Sequence, residues 1–566
     1  MPVTRPPESD RVKKPTLVLT AAVTGGVALT LAIGGAAVAT PSPDHGGHGS
    51  PSGRTQAVDD AYLISAGQNL RARESVFDND GGPRGQLVAT TKPAHGTVAF
   101  NADGTFQYAP QPGFTGVDTF TYSVSDAVKL YTTNLPPLAT IGGVKITGGA
   151  YGSSFTPVPG SRNEYYGLTD RGPNVTAPDG TTKIEPIPSF DPAIGRFRLD
   201  ANGAAVLERA IPLRAANGTP YNGLVNSQAG TGETIENLQG QVQPTSPNGY
   251  DSEGIVALPD GTFWVSDEYG PFITHFDRNG RQIGRLSPFD GSLPAELAMR
   301  VPNKGMEGLT ITPDGSTLVG MMQSALQTPD LTAKPGNVTT LRIVTYDLKT
   351  KATHEYLYLL TDPKIHSGAV SEIAAVSNTK FVVDERDGKF EPNAFKQLYA
   401  IDISGATDVG PSASVANASY DATKGGLLVG SGQKSIDAFV GADDTATATA
   451  ALASVGIQPV QKAADVDLGG LLSTLDPTGG FFGHDKVEGV AVLDGGKTLV
   501  VSNDNDFGID GVTNAAAPWQ LHAKTLPNGT QDDGEYLAID TTKLDHPVST
   551  ATVSIFVTPK GIHVEH

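Results

Sequence analysis

Along this chain apolar and polar residues alternate in short runs, with a period of two rather than the 3.6 of a helix. Gly96-Thr97-Val98-Ala99-Phe100 and Thr105-Phe106-Gln107-Tyr108 flank Asn101-Ala102-Asp103-Gly104. Two alternating runs around an Asp-Gly turn predict a β-hairpin. Pro112-Gly113-Phe114-Thr115-Gly116 predicts a further turn, and Phe120-Thr121-Tyr122-Ser123-Val124 a closing strand. The one helical stretch expected beyond residue 140 is the Ala/Thr-rich run 442–456, inside an insertion.

From about residue 140 one unit recurs: a Glu, an apolar run, a tight turn, then a second run ending in acids. Asp251-Ser252-Glu253-Gly254-Ile255 leads to Phe263-Trp264-Val265-Ser266-Asp267-Glu268, and Met306-Glu307-Gly308-Leu309 to Thr317-Leu318-Val319-Gly320. Ser371-Glu372-Ile373 leads to Phe381-Val382-Val383-Asp384-Glu385-Arg386, and Val487-Glu488-Gly489 to Leu499-Val500-Val501-Ser502-Asn503-Asp504. A degenerate copy runs from Gly149 to Arg171. A third strand follows several units, as in Ile273-Thr274-His275-Phe276. The glutamates recur about every 60 residues, with one gap near twice that. Units of three or four antiparallel strands at this period are the blades of a β-propeller. The remaining length predicts an all-β fold with about six blades, behind a small N-terminal β-sandwich.

Composition agrees with strands and turns. Gly numbers 67 and Pro 41 among 566 residues, which excludes a coiled coil or helical bundle. Cysteine is absent, so disulfides, zinc–thiolate sites and a cysteine nucleophile are excluded. A net charge of −20 argues against a nucleic-acid partner. Residues 1–39 read as a signal peptide: Arg11, Lys13 and Lys14 precede an apolar run that ends in Ala37-Val38-Ala39. A retained membrane anchor is the alternative. Residues 40–55, with His45 and His48, read as a flexible linker. The expected division is then a sandwich over 56–128 and a propeller over 140–566, in a secreted or cell-surface monomer.

In a propeller the first strands line a central channel, and their starts meet at one mouth. Glu253, Glu307, Glu372 and Glu488 are therefore expected to converge, with Asp267, Glu268, Asp384, Asn503, Asp504 and Asp506 as further oxygen donors. Facing carboxylates repel unless a proton or cation intervenes. A hard cation such as Ca2+ suits an all-oxygen ligand set. Lys304, Lys486, Arg171 and Arg386 stand beside these acids and suit an anionic substrate. The alternative is that each glutamate bonds backbone amides of a neighbouring blade and each base pairs with its neighbour. His366 and His484 are expected in surface loops. There is no Gly-x-Ser-x-Gly elbow and no His-Glu-x-x-His.

Two resemblances extend this reading. Val76-Phe77-Asp78-Asn79-Asp80, Asp103-Gly104-Thr105-Phe106 and Phe114-Thr115-Gly116-Val117-Asp118 resemble the bacterial cadherin-like or Ig-like repeat. That implies a spacer or adhesive role with possible cell-surface association, and offers Asp78 and Asp80 to calcium. Thr169-Asp170-Arg171-Gly172, Asp251-Ser252-Glu253-Gly254, Asn303-Lys304-Gly305-Met306-Glu307-Gly308, Asp384-Glu385-Arg386-Asp387 and Lys486-Val487-Glu488-Gly489 resemble the "esterase-like activity of phytase" family. The resemblance implies hydrolysis of phosphoric or carboxylic esters. Its repeats are also similar to those of calcium-dependent propeller lactonases, where a Glu and Asn or Asp residues hold the ion. Three readings follow. One is a calcium-dependent phosphatase-type hydrolase in which an acid among Glu307 and Glu488 takes a proton while Lys304, Lys486 or Arg386 holds substrate charge. The others are a lactonase or carboxylesterase, and a non-catalytic binding module.

Overall fold

The computed structural model describes residues 53–230 and 232–560. The signal segment, most of the linker and both linker histidines lie outside the described residues. Five four-stranded antiparallel sheets make up the larger unit. Their innermost strands are Ser154–Pro157, Ser252–Ala257, Met306–Ile311, Ala369–Ala375 and Val487–Leu493, and each packs on the next until the fifth meets the first. The ring has five blades among the described residues, where the repeat arithmetic predicts about six. The difference lies in insertions. Residues between Asp402 and Gln461 form a separate three-stranded sheet and two helices, one of them Thr445–Ser454 within the expected helical run. These segments lengthen the chain without adding a blade.

The expected boundaries at 128 and 566 do not follow the sheets. Val128–Thr132 pairs with Glu535–Asp540 as the outer strand of the fifth blade. Ser549–Thr558, expected in the propeller, lies between Asp60–Ser65 and Gly116–Ser125 in the smaller unit. There a four-stranded and a three-stranded sheet share one core, which includes Phe106, Tyr108, Phe120, Tyr122, Val553 and Ile555. The predicted hairpin forms with Phe100 opposite Phe106. Each unit is thus completed by a strand from the far side of the other, which covers backbone that a free edge would expose. Asp78 and Asp80 are used locally: Asp78 accepts from the Ser75 amide, and Asp80 from the Val58 amide and the Tyr122 hydroxyl.

The repeated Glu-Gly step has a backbone cause. In the third and fifth blades the ladder skips Glu307 and Glu488, so each is the extra residue of a β-bulge. The next residue, Gly308 or Gly489, faces the neighbouring inner strand so closely that a Cβ would lie 2.7 Å from the Ile373 nitrogen or 2.8 Å from that of Phe155. The bulge turns the glutamate to the channel mouth, and glycine lets the adjacent blade approach.

Candidate functional site

At the mouth where the inner strands begin, all five blades line one cavity of about 560 Å³. The first contributes Asp170 and Arg171, and the second Asp251, Glu253 and Glu268. Lys304, Glu307 and Gln323 come from the third, Arg386 from the fourth, and Lys486, Glu488 and Asp504 from the fifth. The five residues expected to be catalytic (Glu307, Glu488, Lys304, Lys486 and Arg386) all lie on its wall.

Four of the eight expected metal ligands, Glu253, Glu307, Glu488 and Asp504, line the cavity; the other four do not. Glu372 is displaced by one residue of register. In its blade the bulged residue is Ser371, and Glu372 occupies the position that glycine holds elsewhere. A one-residue slip reverses the face of a side chain. Ser371 accepts from Arg386 Nε at 2.9 Å, whereas Glu372 accepts from the Ser154 hydroxyl and the Leu309 and Ile373 amides. Glu372 therefore ties the fourth blade to the first and third across the channel.

Asp267 and Asn503 sit on the wrong side of the strand alternation, whereas Asp384 shares the phase of Arg386 on its strand but does not line the cavity. In the second and fifth blades only the later residue of the adjacent pair faces the cavity, Glu268 rather than Asp267 and Asp504 rather than Asn503; in the fourth, neither Asp384 nor Glu385 does, and Arg386 takes that position. Asp267 accepts from the amides of Asp251, Tyr269 and Gly270. Asn503 donates to Asp532 and to the Asp533 carbonyl. Asp384 is wholly buried, and neither of its oxygens has a hydrogen-bond partner. Burial pushes its carboxyl up to about 7, against the pull of Arg386 and Lys396.

Asp251, Glu253 and Glu268 each place a carboxylate oxygen within 4.8 Å of the others, and all three are buried. Glu307, also buried, lines the same cavity. Burial and then the neighbouring acids push Glu253 and Glu268 well above the carboxylate range. Burial raises Glu307 and Glu488 to about 7, with Arg386 drawing Glu488 back down. Glu268 Oε1, Glu307 Oε2 and Asn303 Oδ1 are buried without a hydrogen-bond partner. A pocket of unsatisfied oxygens, none of which carries a hydrogen when the acids are ionised, fits a hard cation.

The cations divide into two kinds. Arg386 is ion-paired with Glu488, Lys486 with Asp504 and Asp506 at 2.9 and 2.6 Å, and Arg171 with Glu233 and Asp251. For these, pairing between neighbours holds. Lys304 Nζ instead donates to Gln323 Oε1 at 2.6 Å, and Lys183 Nζ to Thr176 Oγ1 at 3.2 Å; both partners are neutral. Burial and then Arg171 lower the Lys183 pKa.

Sequence reasoning missed Lys183, Asp251, Asn303 and Gln323 as wall residues. Asp251 was legible as the first acid of Asp251-Ser252-Glu253. Lys183 lies on the short strand Lys183–Glu185, outside the repeat, and carried no signal. His484, expected on the surface, is fully buried behind the fifth blade. Burial would lower its pKa, but the Asp532 and Glu535 carboxylates against its two nitrogens raise it to about 9. His366 is half-buried and stacks on Phe395 at 4.2 Å.

An uncharacterized secreted protein of Arthroderma benhamiae is 37% identical over 138 residues, 19% of this chain and 27% of that one. The chain thus spans about a quarter of that relative's length. Among solved structures, a protein from Lactobacillus plantarum is 10% identical over 75% of this chain and 99% of its own, with a TM-score of 0.28. The virginiamycin B lyase of Staphylococcus aureus is 11% identical over 56% of this chain and 94% of its own, with a TM-score of 0.20. Residues 51–135 match the bacterial Ig domain. Residues 146–507, which carry the five inner strands and the whole carboxylate cluster, match the family described as esterase-like activity of phytase, and the chain belongs to that family.

Proposed function

We propose that this protein is an exported, calcium-dependent hydrolase of phosphoric esters, with its active site at the channel mouth. The observation that carries the reading is the juxtaposition of two features on one wall. One is the buried Asp251–Glu253–Glu268 cluster, with Glu307 on the same cavity wall and unpartnered oxygens on Glu268 and Glu307 among the described residues. The other is the pair of lysines, Lys183 and Lys304, whose partners are neutral. The bacterial Ig match and the secreted relative support an extracellular setting, where calcium is plentiful.

Asp251, Glu253, Glu268 and Glu307 would hold the cation, which would supply Lewis-acid chemistry to the ester and its attacking water. Lys304 and Lys183 hold the anionic part of the substrate; among the described residues no carboxylate lies within ion-pair distance of either. Glu488 acts as the proton acceptor. Its Oε1 is held by Arg386, which leaves Oε2 to take the proton. Arg171 and Lys486 brace the walls through their own acids and contribute shape rather than free charge.

The test is a hydrolase panel of phosphate monoesters, phytate, aryl esters and lactones, with calcium and with chelator. Calcium-dependent turnover of the phosphate esters is expected. Turnover of neutral esters or lactones alone would replace phosphate by a carboxylic ester. No turnover on any of them would make the cavity a binding site. Lys304→Met should raise KM on a phosphate ester and leave a neutral ester unchanged, because removing a point charge affects only an anion. Equal losses on both would show that Lys304 only supports Gln323.

A further inference from the structure

Away from the channel mouth, between the first and second blades, lies a cleft of about 210 Å³ that the proposed reaction does not use. It opens beside the turns that follow the first and third strands of the second blade, and so on the face opposite the mouth. Its walls are Tyr166, Arg196, Arg209, Asp260 and Arg278, and its floor is apolar, with Ile211 and Phe263. Arg196 and Arg209 stand directly opposite each other on adjacent strands, next to Tyr166 on the third. Like charges in such a pair destabilise a sheet. Arg278 brings a third guanidinium from the neighbouring blade. Three of the cations of a chain with 60 acids and 40 bases thus meet in one small cleft.

The local acids neutralise them only in part. Arg196 bonds Glu164 at 3.0 Å and has Glu208 at 3.9 Å, but its Nε is buried with no hydrogen-bond partner. Glu208 is held at 3.0 Å by Arg198. Arg209 donates to the neutral Asn279 Oδ1, and Arg278 to the Asp260 carbonyl at 3.5 Å. The Asp260 carboxylate is taken up by the Thr262 amide and hydroxyl. Two guanidinium groups with no carboxylate at ion-pair distance among the described residues, and a third with an idle N–H, form a donor set above the apolar floor.

We infer that this cleft is a second, non-catalytic anion site that binds a single oxyanion group, a phosphate, sulfate or carboxylate carried by a small organic body. Guanidinium forks match the paired oxygens of such groups, and the oxyanion relieves the Arg196–Arg209 repulsion. The cleft holds one such group with a ring-sized substituent against Tyr166 and Phe263. The inference does not depend on the channel-mouth reading.

The experiment titrates the full chain with inorganic phosphate, sulfate and glucuronate by calorimetry. The variants are Arg209→Ala, Arg278→Ala, the double variant and, for the channel mouth, Lys304→Met. Arg209 and Arg278 are exposed, so folding should be retained, and an unchanged melting temperature checks this. The double variant should weaken the bound anion at least about tenfold, as loss of charge-assisted hydrogen bonds implies. Lys304→Met should leave that binding event intact, and Arg209→Lys should recover only part of it. The probe with the tightest saturable binding identifies the oxyanion class. Binding abolished by Lys304→Met and untouched by the arginine variants would place the anion in the channel and overturn the inference. Absence of saturable binding with all three probes would overturn it equally.

Discussion

Replacing Asp384 by Asn isolates one buried carboxyl, because its effect is read as a pH dependence rather than as a single stability value. Asp384 is wholly buried beneath the cavity, and neither oxygen has a hydrogen-bond partner. Its pKa rises from the ordinary 3.8 to about 7. Between those values the folded chain binds a proton that the unfolded chain has released, so stability falls as pH rises and levels off above the folded value. At 1.36 kcal/mol per pH unit, the interval amounts to about 4 kcal/mol. Asn does not ionise, so the difference between variant and wild type should move in the variant's favour by about 4 kcal/mol from pH 4 to pH 8. Any constant cost of burying an amide cancels in that comparison. The assay is urea unfolding of both proteins across this range in chelator, so that cation binding does not contribute. A difference that stays flat within about 1 kcal/mol would refute the reasoning. A difference moving toward the wild type would show that Arg386 and Lys396 hold an ionised Asp384.

Three further outcomes are expected. Calcium at 100 times its dissociation constant should stabilise the folded chain by about 2.7 kcal/mol, read as a rise in melting temperature that chelator reverses; an unchanged midpoint would mean that protons, not a cation, fill the carboxylate cluster. Glu372→Ala should lower unfolding stability by about 2–4 kcal/mol, through three lost hydrogen bonds, two of them to other blades, while calorimetry finds calcium affinity unchanged. A drop in affinity would return Glu372 to the ligand set. Ending the chain after Val548 removes the buried Val553, Ile555 and Val557, worth roughly 1.5–3 kcal/mol each, and should make residues 56–125 the first target of limited proteolysis. Protection equal to that of the full chain would show that the smaller unit stands without this strand.

Much of the architecture was legible in the residues. The period-two runs, the Asp-Gly turns and the recurrent Glu-Gly step dictate antiparallel blades, because each is a local backbone preference. Glu253, Glu307 and Glu488 were legible as a converging set for the same reason: each is followed by a glycine that admits the neighbouring blade, and that spacing sets the bulge. Blade number was not, since an insertion and a blade contribute similar lengths of chain. The exchange of Val128–Thr132 and Ser549–Thr558 between the two units was also invisible, because strand pairing at such separation leaves no local signature. The sharpest contrast is Glu372. In sequence it matches the other glutamates, but Ile373 stands where they have glycine, and the ladder places the bulge at Ser371. One residue of register, which depends on how two strands pair and not on either alone, moved a carboxylate from the cavity wall into the channel. The same alternation separated Glu268 from Asp267 and Asp504 from Asn503. The sequence by itself determined which residue types reach the mouth of the ring. Only the tertiary structure decided which of two adjacent acids faces it, because the side-chain period in a strand is two and its phase is set by the partner strand.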